Sequence, residues 1–153
     1  MSYDSFEKAK ELAFASLRRR DRSEKELRDF LLKKSIASDV IDEVVAFLYE
    51  YKFLDDNKFA FAWAEYKKQC GRGPRKVAYE LQLKGVAQSI VNEALDKCFG
   101  SYDRRILSEL IEQKQRTFKK GLKNWEIKRK LMAFLLARGF EYNQIKEALD
   151  EDS

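Results

Sequence analysis

One short pattern occurs three times in this chain of 153 residues. Leu31, Lys34, Ser35, Ile36, Ile41 and Glu43 align with Leu81, Lys84, Gly85, Val86, Val91 and Glu93. They align again with Leu135, Arg138, Gly139, Phe140, Ile145 and Glu147, at offsets of 50 and then 54 residues. A period near 50 marks a repeated supersecondary unit, and such units bury their apolar faces by stacking on neighbours. The expectation is an extended scaffold with a long contact surface, not a shell around one catalytic pocket.

Local signals make each unit helical. With 44% apolar residues but one proline and six glycines, the chain favours long helices over strands. In residues 1–54, Ala9, Leu12, Ala13 and Leu17 form a first stripe. Ser23 and Glu26 make a capping box that opens a second helix carrying Leu27, Phe30 and Leu31. Ser38 or Asp39 is expected to cap a third helix bearing Val40, Ile41, Val44, Val45 and Leu48.

Residues 55–100 repeat the plan. Asp55 or Asp56 caps a helix with Phe59, Ala62, Trp63 and Tyr66 on one side. Gly73 and Pro74 start the next helix, and Gly85 supplies the left-handed residue that ends it. Ser35 stands where the other copies have Gly85 and Gly139, so the first turn is expected to differ. Residues 101–153 form the third unit, opening near Ser101 with Ile106, Leu107, Leu110 and Ile111 as its first stripe. Asn124 is expected to cap its second helix, and the unit ends in the acidic tail Asp150-Glu151-Asp152. The fold class read from this pattern is all-α: three tandem three-helix repeats in an elongated, curved array.

Several function classes drop out. There is no histidine, and Cys70 and Cys98 lie far apart, which removes histidine catalysis and the usual zinc sites. Both cysteines fall on apolar faces and read as small buried hydrophobes. Asp55-Asp56 is the conspicuous carboxylate pair, but carboxylates at a helix start serve its unpaired N–H groups. The Gly71–Lys76 stretch lacks the Gly-Lys-Ser/Thr ending and preceding strand of a phosphate loop. The expectation is a protein that is not an enzyme and needs no cofactor or metal. No signal core or membrane-length apolar run is present, which points to a cytoplasmic chain.

Charge points to a partner. Lysine and arginine outnumber aspartate and glutamate 31 to 26, and the excess is uneven: residues 104–130 carry ten basic and three acidic groups. Arg18, Arg19, Arg20 and Arg22 end the first helix of unit one; Lys67, Lys68, Arg72, Arg75 and Lys76 occupy the same corner of unit two. Lys119, Lys120, Lys123, Lys128, Arg129 and Lys130 do so in unit three. Stacked repeats would align these corners into a stripe suited to a phosphate backbone or an acidic protein groove. The competing reading is that basic groups near helix C-termini complement the dipole. Phe14, Trp63, Tyr66, Trp125 and Phe134 fit core stripes, so base stacking is not indicated. Glu43, Glu93 and Glu147 could pair with Lys34, Lys84 and Arg138 between helices.

Arg22-Ser23-Glu24-Lys25-Glu26-Leu27, Phe53-Leu54-Asp55-Asp56 with Phe59-Ala60, and Gly73-Pro74 through Glu80-Leu81 and Lys84-Gly85-Val86 together resemble the RecX family. The resemblance runs in order through residues 10–95, and loosely through Leu135 and Arg138-Gly139-Phe140. Members of that family are bacterial regulators of the RecA recombinase. The resemblance implies three tandem three-helix repeats, binding along the RecA–DNA filament, and inhibition of ATP hydrolysis and strand exchange in recombination and repair. A monomer with no membrane partner is expected. Two other readings stay open on the residues alone: a nonspecific DNA-binding helical module, and a purely protein-binding helical scaffold.

Overall fold

In the computed structural model, which describes residues 3–100 and 104–151, every described element is a helix. They are α1 (Tyr3–Arg19), α2 (Glu24–Lys33), α3 (Ser38–Glu50), α4 (Asp56–Gln69), α5 (Pro74–Leu83), α6 (Gln88–Phe99), α7 (Arg104–Gln115), α8 (Asn124–Ala137) and α9 (Tyr142–Glu151). They pack in consecutive threes. The expected opening near Ser101 and the tail residue Asp152 lie outside the described residues.

Each set of three encloses its own core. Ala9, Ala13, Leu27, Leu31, Ile41 and Leu48 belong to the first, Phe59, Ala60, Ala64, Val77, Leu81 and Val91 to the second. Leu107, Ile111, Leu131, Leu135 and Ile145 belong to the third. This corrects the expectation that the units bury apolar faces against one another. Three helices crossing at an angle close a small core by themselves, and what joins the units is polar. The chain exposes 9920 Å², against about 8,100 Å² for a compact monomer of this mass, as an elongated array requires.

Small residues set the tightest crossings. Ala9 and Ala13 of α1 and Ala60 and Ala64 of α4 are one helical turn apart and fully buried. Lacking long side chains, they let α3 and α6 come close. The buried stripe of α4 is therefore Phe59, Ala60 and Ala64, and the expected face through Ala62 and Tyr66 is exposed instead.

The second helix of every unit ends the same way. Ile36, Val86 and Phe140 donate their N–H groups to the carbonyls of Leu31, Leu81 and Leu135 at 3.1, 3.1 and 3.2 Å. The residue before each donor is left-handed: Ser35 at φ 63°, Gly85 at 76° and Gly139 at 97°. The turn at Ser35 thus does not differ, contrary to the sequence expectation. Its side chain is exposed, and the hydrogen bonds of this turn outweigh the strain of a serine there.

Other helix starts also depart from expectation. Ala37 and not Ser38 or Asp39 stands at the N-cap of α3, and Lys123 and not Asn124 at that of α8. The larger third offset comes from α8, which has 14 residues where α2 and α5 have 10. The three helices start at regular intervals, at Glu24, Pro74 and Asn124, because the longer connection 116–123 is matched by shorter elements before it.

Candidate nucleic-acid interface

The basic corners of the first and second units are built at the joints between units. At the first joint, α2 presents its N-terminus to the end of α5. Ser23, fully buried, accepts from the Glu26 N–H at 3.2 Å and donates its hydroxyl proton to the Lys84 carbonyl at 2.7 Å. Glu26 completes the capping box by accepting from the Ser23 N–H at 3.1 Å. Its second oxygen takes Arg20 at 2.8 Å and Lys84 at 3.1 Å, the latter from the neighbouring unit.

The adjacent aspartates do different things. Asp55 caps its own helix, accepting from the N–H groups of Asn57 and Lys58 at 2.9 and 3.3 Å. Asp56 reaches back across the joint and accepts from the Glu24 N–H at 2.8 Å. It caps α2, not α4. Both carboxylates are thus engaged with backbone, which is capping and not paired acid–base geometry.

The second joint solves the same problem without a side chain. The Gly73 N–H donates to the Arg138 carbonyl at 2.7 Å, and the Arg75 N–H to the Gly139 carbonyl at 2.9 Å. A Cβ on Gly73 would lie 2.4 Å from Gly139 backbone atoms, and one on Gly139 would lie 2.5 Å from Lys76. The carbonyls of unit three therefore occupy the space that Ser23 fills at the first joint. Pro74 follows at the first helical position, where its missing N–H costs nothing. The helices α8, α5 and α2 consequently meet end to end, C-terminus against N-terminus, with their dipoles in series.

Opposite pH behaviour follows at the first joint. Burial alone would raise the Glu26 carboxyl, but hydrogen bonds from Arg20, the Ser23 N–H and Lys84 hold it at about 2. Its contribution is present above the ordinary glutamate range and lost as pH falls toward 2. Glu26→Gln should cost about 1–2 kcal/mol at neutral pH, allowing for solvent screening, and should flatten thermal stability between pH 5 and 2. Asp56 is raised, chiefly by burial and also by Glu24, Asp55 and Glu26, against the pull of the Glu24 N–H. Its charged form is disfavoured on folding, so its contribution shrinks as pH rises through its folded pKa. Asp56→Asn, which keeps the acceptor, should melt at or above the parent temperature at pH 7. Asp56→Ala should lose about 1 kcal/mol.

Only part of the basic set is free to meet a partner. Arg18, Arg19, Arg75, Lys119, Lys120 and Lys123 are exposed, and their side chains make no ion pair or hydrogen bond among the described residues. Arg20 is held by Glu26. Arg22 and Arg72, equivalent in the first two units, bury their Nε atoms without a partner. Arg22 is lowered by burial and then by the charges of Arg20 and Arg19, against the pull of Glu26. Lys68 donates to the Cys98 carbonyl at 2.8 Å. Lys76 lies under Gly139, Lys128 faces Asp150 at 3.8 Å, and Lys130 lies over Phe118.

Four sequence readings change here. Tyr66 and Trp125 are 62% and 58% exposed, and so are not core. Lys67 lies over the rings of both Trp63 and Tyr66 at 4.9 and 5.7 Å, and Arg129 over Trp125 at 5.3 Å. Aromatics and cations do interleave, because helix periodicity fixes which residues share a face but not which face a neighbour covers. Cys70 is exposed, whereas Cys98 is buried and its thiol pushed up to about 12 by that burial. Glu43, Glu93 and Glu147 do not pair with Lys34, Lys84 and Arg138: Glu93 takes Lys97, Lys84 takes Glu26, and Arg138 donates to the Cys70 carbonyl at 3.3 Å.

Sequence reasoning also passed over Lys114 as a surface cation. Lys114, Lys68 and Arg138 share a cleft of about 520 Å³ between α4, α7 and α8, with Glu109 on its wall. Among the described residues, no three His, Cys, Asp or Glu side chains group as metal ligands, and no helix is long and apolar enough to cross a membrane.

Comparison with known proteins matches all three units. Residues 9–48, 55–95 and 102–149 match the first, second and third three-helix domains of RecX. Regulatory protein RecX of Clostridium botulinum (strain Eklund 17B / Type B) is 32% identical over 149 residues, covering 97% of this chain and 70% of the relative. The namesake from Bacillus velezensis is 36% identical over 151 residues, and this chain spans 56% of its length. The crystal structure of RecX from Lactobacillus salivarius shares the fold at a TM-score of 0.80 and 22% identity, covering 98% of this chain and 97% of that one. A second crystal structure of regulatory protein RecX gives 0.86 at 18% identity, over 96% and 74%. With three matched domains in order and relatives aligned over nearly its whole length, this chain belongs to the RecX family.

Proposed function

We propose that this chain is a cytoplasmic, monomeric regulator that lies along the RecA–DNA filament and lowers its ATPase and strand exchange. The observation that carries the reading is the recurrence of unpartnered cations on all three units of a narrow scaffold. Arg18 and Arg19, Arg75, and Lys119, Lys120 and Lys123 supply them. The helices α2, α5 and α8, joined at their ends across both joints, tie the three units into one scaffold. A surface spanning three units can engage several filament protomers and the DNA they hold, and many weak contacts then add. Holding protomers in one geometry opposes the cycling that hydrolysis needs, and an occupied groove excludes a second duplex.

The reading requires no chemistry from the chain itself, and Asp55 and Asp56 are spent on helix ends. Titrating the protein into preformed RecA filaments and following DNA-dependent ATPase tests it. Inhibition well below one chain per RecA protomer is expected at near-physiological salt. No inhibition, with salt-sensitive binding to naked DNA, would leave a nonspecific DNA-binding module in its place.

A further inference from the structure

Between the first two units lies a cleft of about 200 Å³ whose chemistry differs from the rest of the surface. Phe59, Ala62, Trp63 and Tyr66 of α4 form one wall, and Arg20 and Asp21 of the α1–α2 connection form the other. The indole is fixed in place: its Nε1–H donates to Glu80 at 2.9 Å, and its ring stacks on Phe59 at 6.1 Å between centroids. Lys84 and Lys67 approach the indole to 4.3 and 4.9 Å. Tyr66 stands beside it with most of its surface in water.

An aromatic wall open to solvent and rimmed by cations asks for a ligand that is flat, apolar on its faces and negatively charged at its edges. An acidic peptide would use the cations and leave the rings wet. Duplex DNA would use the cations too, but its bases are stacked away from the wall. An unpaired nucleotide uses both, with the base on the ring and the flanking phosphates on the cations.

We infer that this cleft binds one unpaired base of single-stranded DNA, with Tyr66 as the stacking platform and Lys67 meeting an adjacent phosphate. Arg20, held by Glu26 at 2.8 Å, fixes the rim of the cleft. Asp21 on the opposite wall disfavours a phosphate there and leaves the base as the group that enters. The inference rests on the regulatory reading and sharpens it, since it names the form of DNA that the middle unit holds.

The test uses oligo-dT and an abasic oligonucleotide of the same length, which keeps the phosphates and removes the bases. In a Trp125→Phe background Trp63 is the sole tryptophan and reports on the cleft. Oligo-dT should quench Trp63 and bind several-fold tighter than the abasic strand. Tyr66→Ala, a surface change that should leave the melting temperature unaltered, should weaken oligo-dT binding about 5- to 100-fold and leave abasic binding unchanged. Equal affinity for the two strands, or a Tyr66→Ala protein that binds oligo-dT like the parent, overturns the inference. A polyglutamate peptide that quenches Trp63 as strongly as oligo-dT also overturns it and makes an acidic protein segment the occupant. These arms contain no RecA, so their failure is separate from a failure of the parent chain to inhibit the filament ATPase.

Discussion

Gly73→Ala is expected to open the joint between the second and third units while both units stay folded. The backbone at Gly73 has φ −87°, a value any residue adopts, so the substitution introduces no turn strain. The added methyl would instead sit 2.4 Å from the Gly139 carbonyl and 2.5 Å from the Phe140 nitrogen. Those atoms are backbone, and the joint must separate to admit it. Separation forfeits the Gly73–Arg138 and Arg75–Gly139 hydrogen bonds, roughly 2–3 kcal/mol together with their packing. Leu81 and Leu135, the centres of the two cores, are untouched.

Gly73→Ser should fail in the same way although serine serves at the equivalent Ser23, because here the third unit's carbonyls already fill the site. Small-angle scattering should show a larger radius of gyration, while circular dichroism should report unchanged helix content. ATPase inhibition should fall with the joint, since a scaffold free to bend loses its additive contacts. An unchanged scattering profile would mean that the joint tolerates a side chain and that the units are held by something else.

The second large effect is expected from reversing the free cations. Changing Arg18, Arg19, Arg75, Lys119, Lys120 and Lys123 to glutamate leaves the cores alone, since none of these side chains has a partner to lose among the described residues. If six groups neutralise phosphates, the parent should lose about a thousand-fold in DNA affinity between roughly 50 and 200 mM salt. The variant should show no measurable binding to duplex DNA, and it should not inhibit the RecA ATPase. Full inhibition by a folded variant would mean that these residues only complement helix dipoles at exposed ends.

The contrast between what the sequence shows and what it conceals is clearest in α4. Its start is local chemistry: Asp55 sits at the N-cap, and the amides it serves are two and three residues away. Asp56, next in line, looks the same in sequence. It serves an amide 32 residues back, and only the folded joint brings the two together. The same division holds for Gly85 and Gly139. Their spacing from Leu81 and Leu135 announces a left-handed turn, but the second demand on them, close approach of Lys25 and Lys76, comes from another unit. Tyr66, seven residues on, keeps helical time with Phe59 and Ala60 does not, yet Tyr66 is exposed and Ala60 sealed. Which of them faces inward depends on where α6 crosses, and a short alanine track invites that crossing better than a ring does. Local patterns therefore carried the units and their helices, while the surface of the interface depended on contacts between units.

The serine at position 35 has a consequence for what can dock on the first unit. In the second and third units the left-handed residue is glycine, and the unit before it presses a helix start to within 2.5 Å of where a Cβ would be. Ser35 keeps the left-handed backbone but carries a Cβ. A further unit offered to that turn in the same geometry would collide with it. The turn at Ser35 is thus closed, by one methylene group, to a neighbour docked as α2 and α5 dock on Gly85 and Gly139.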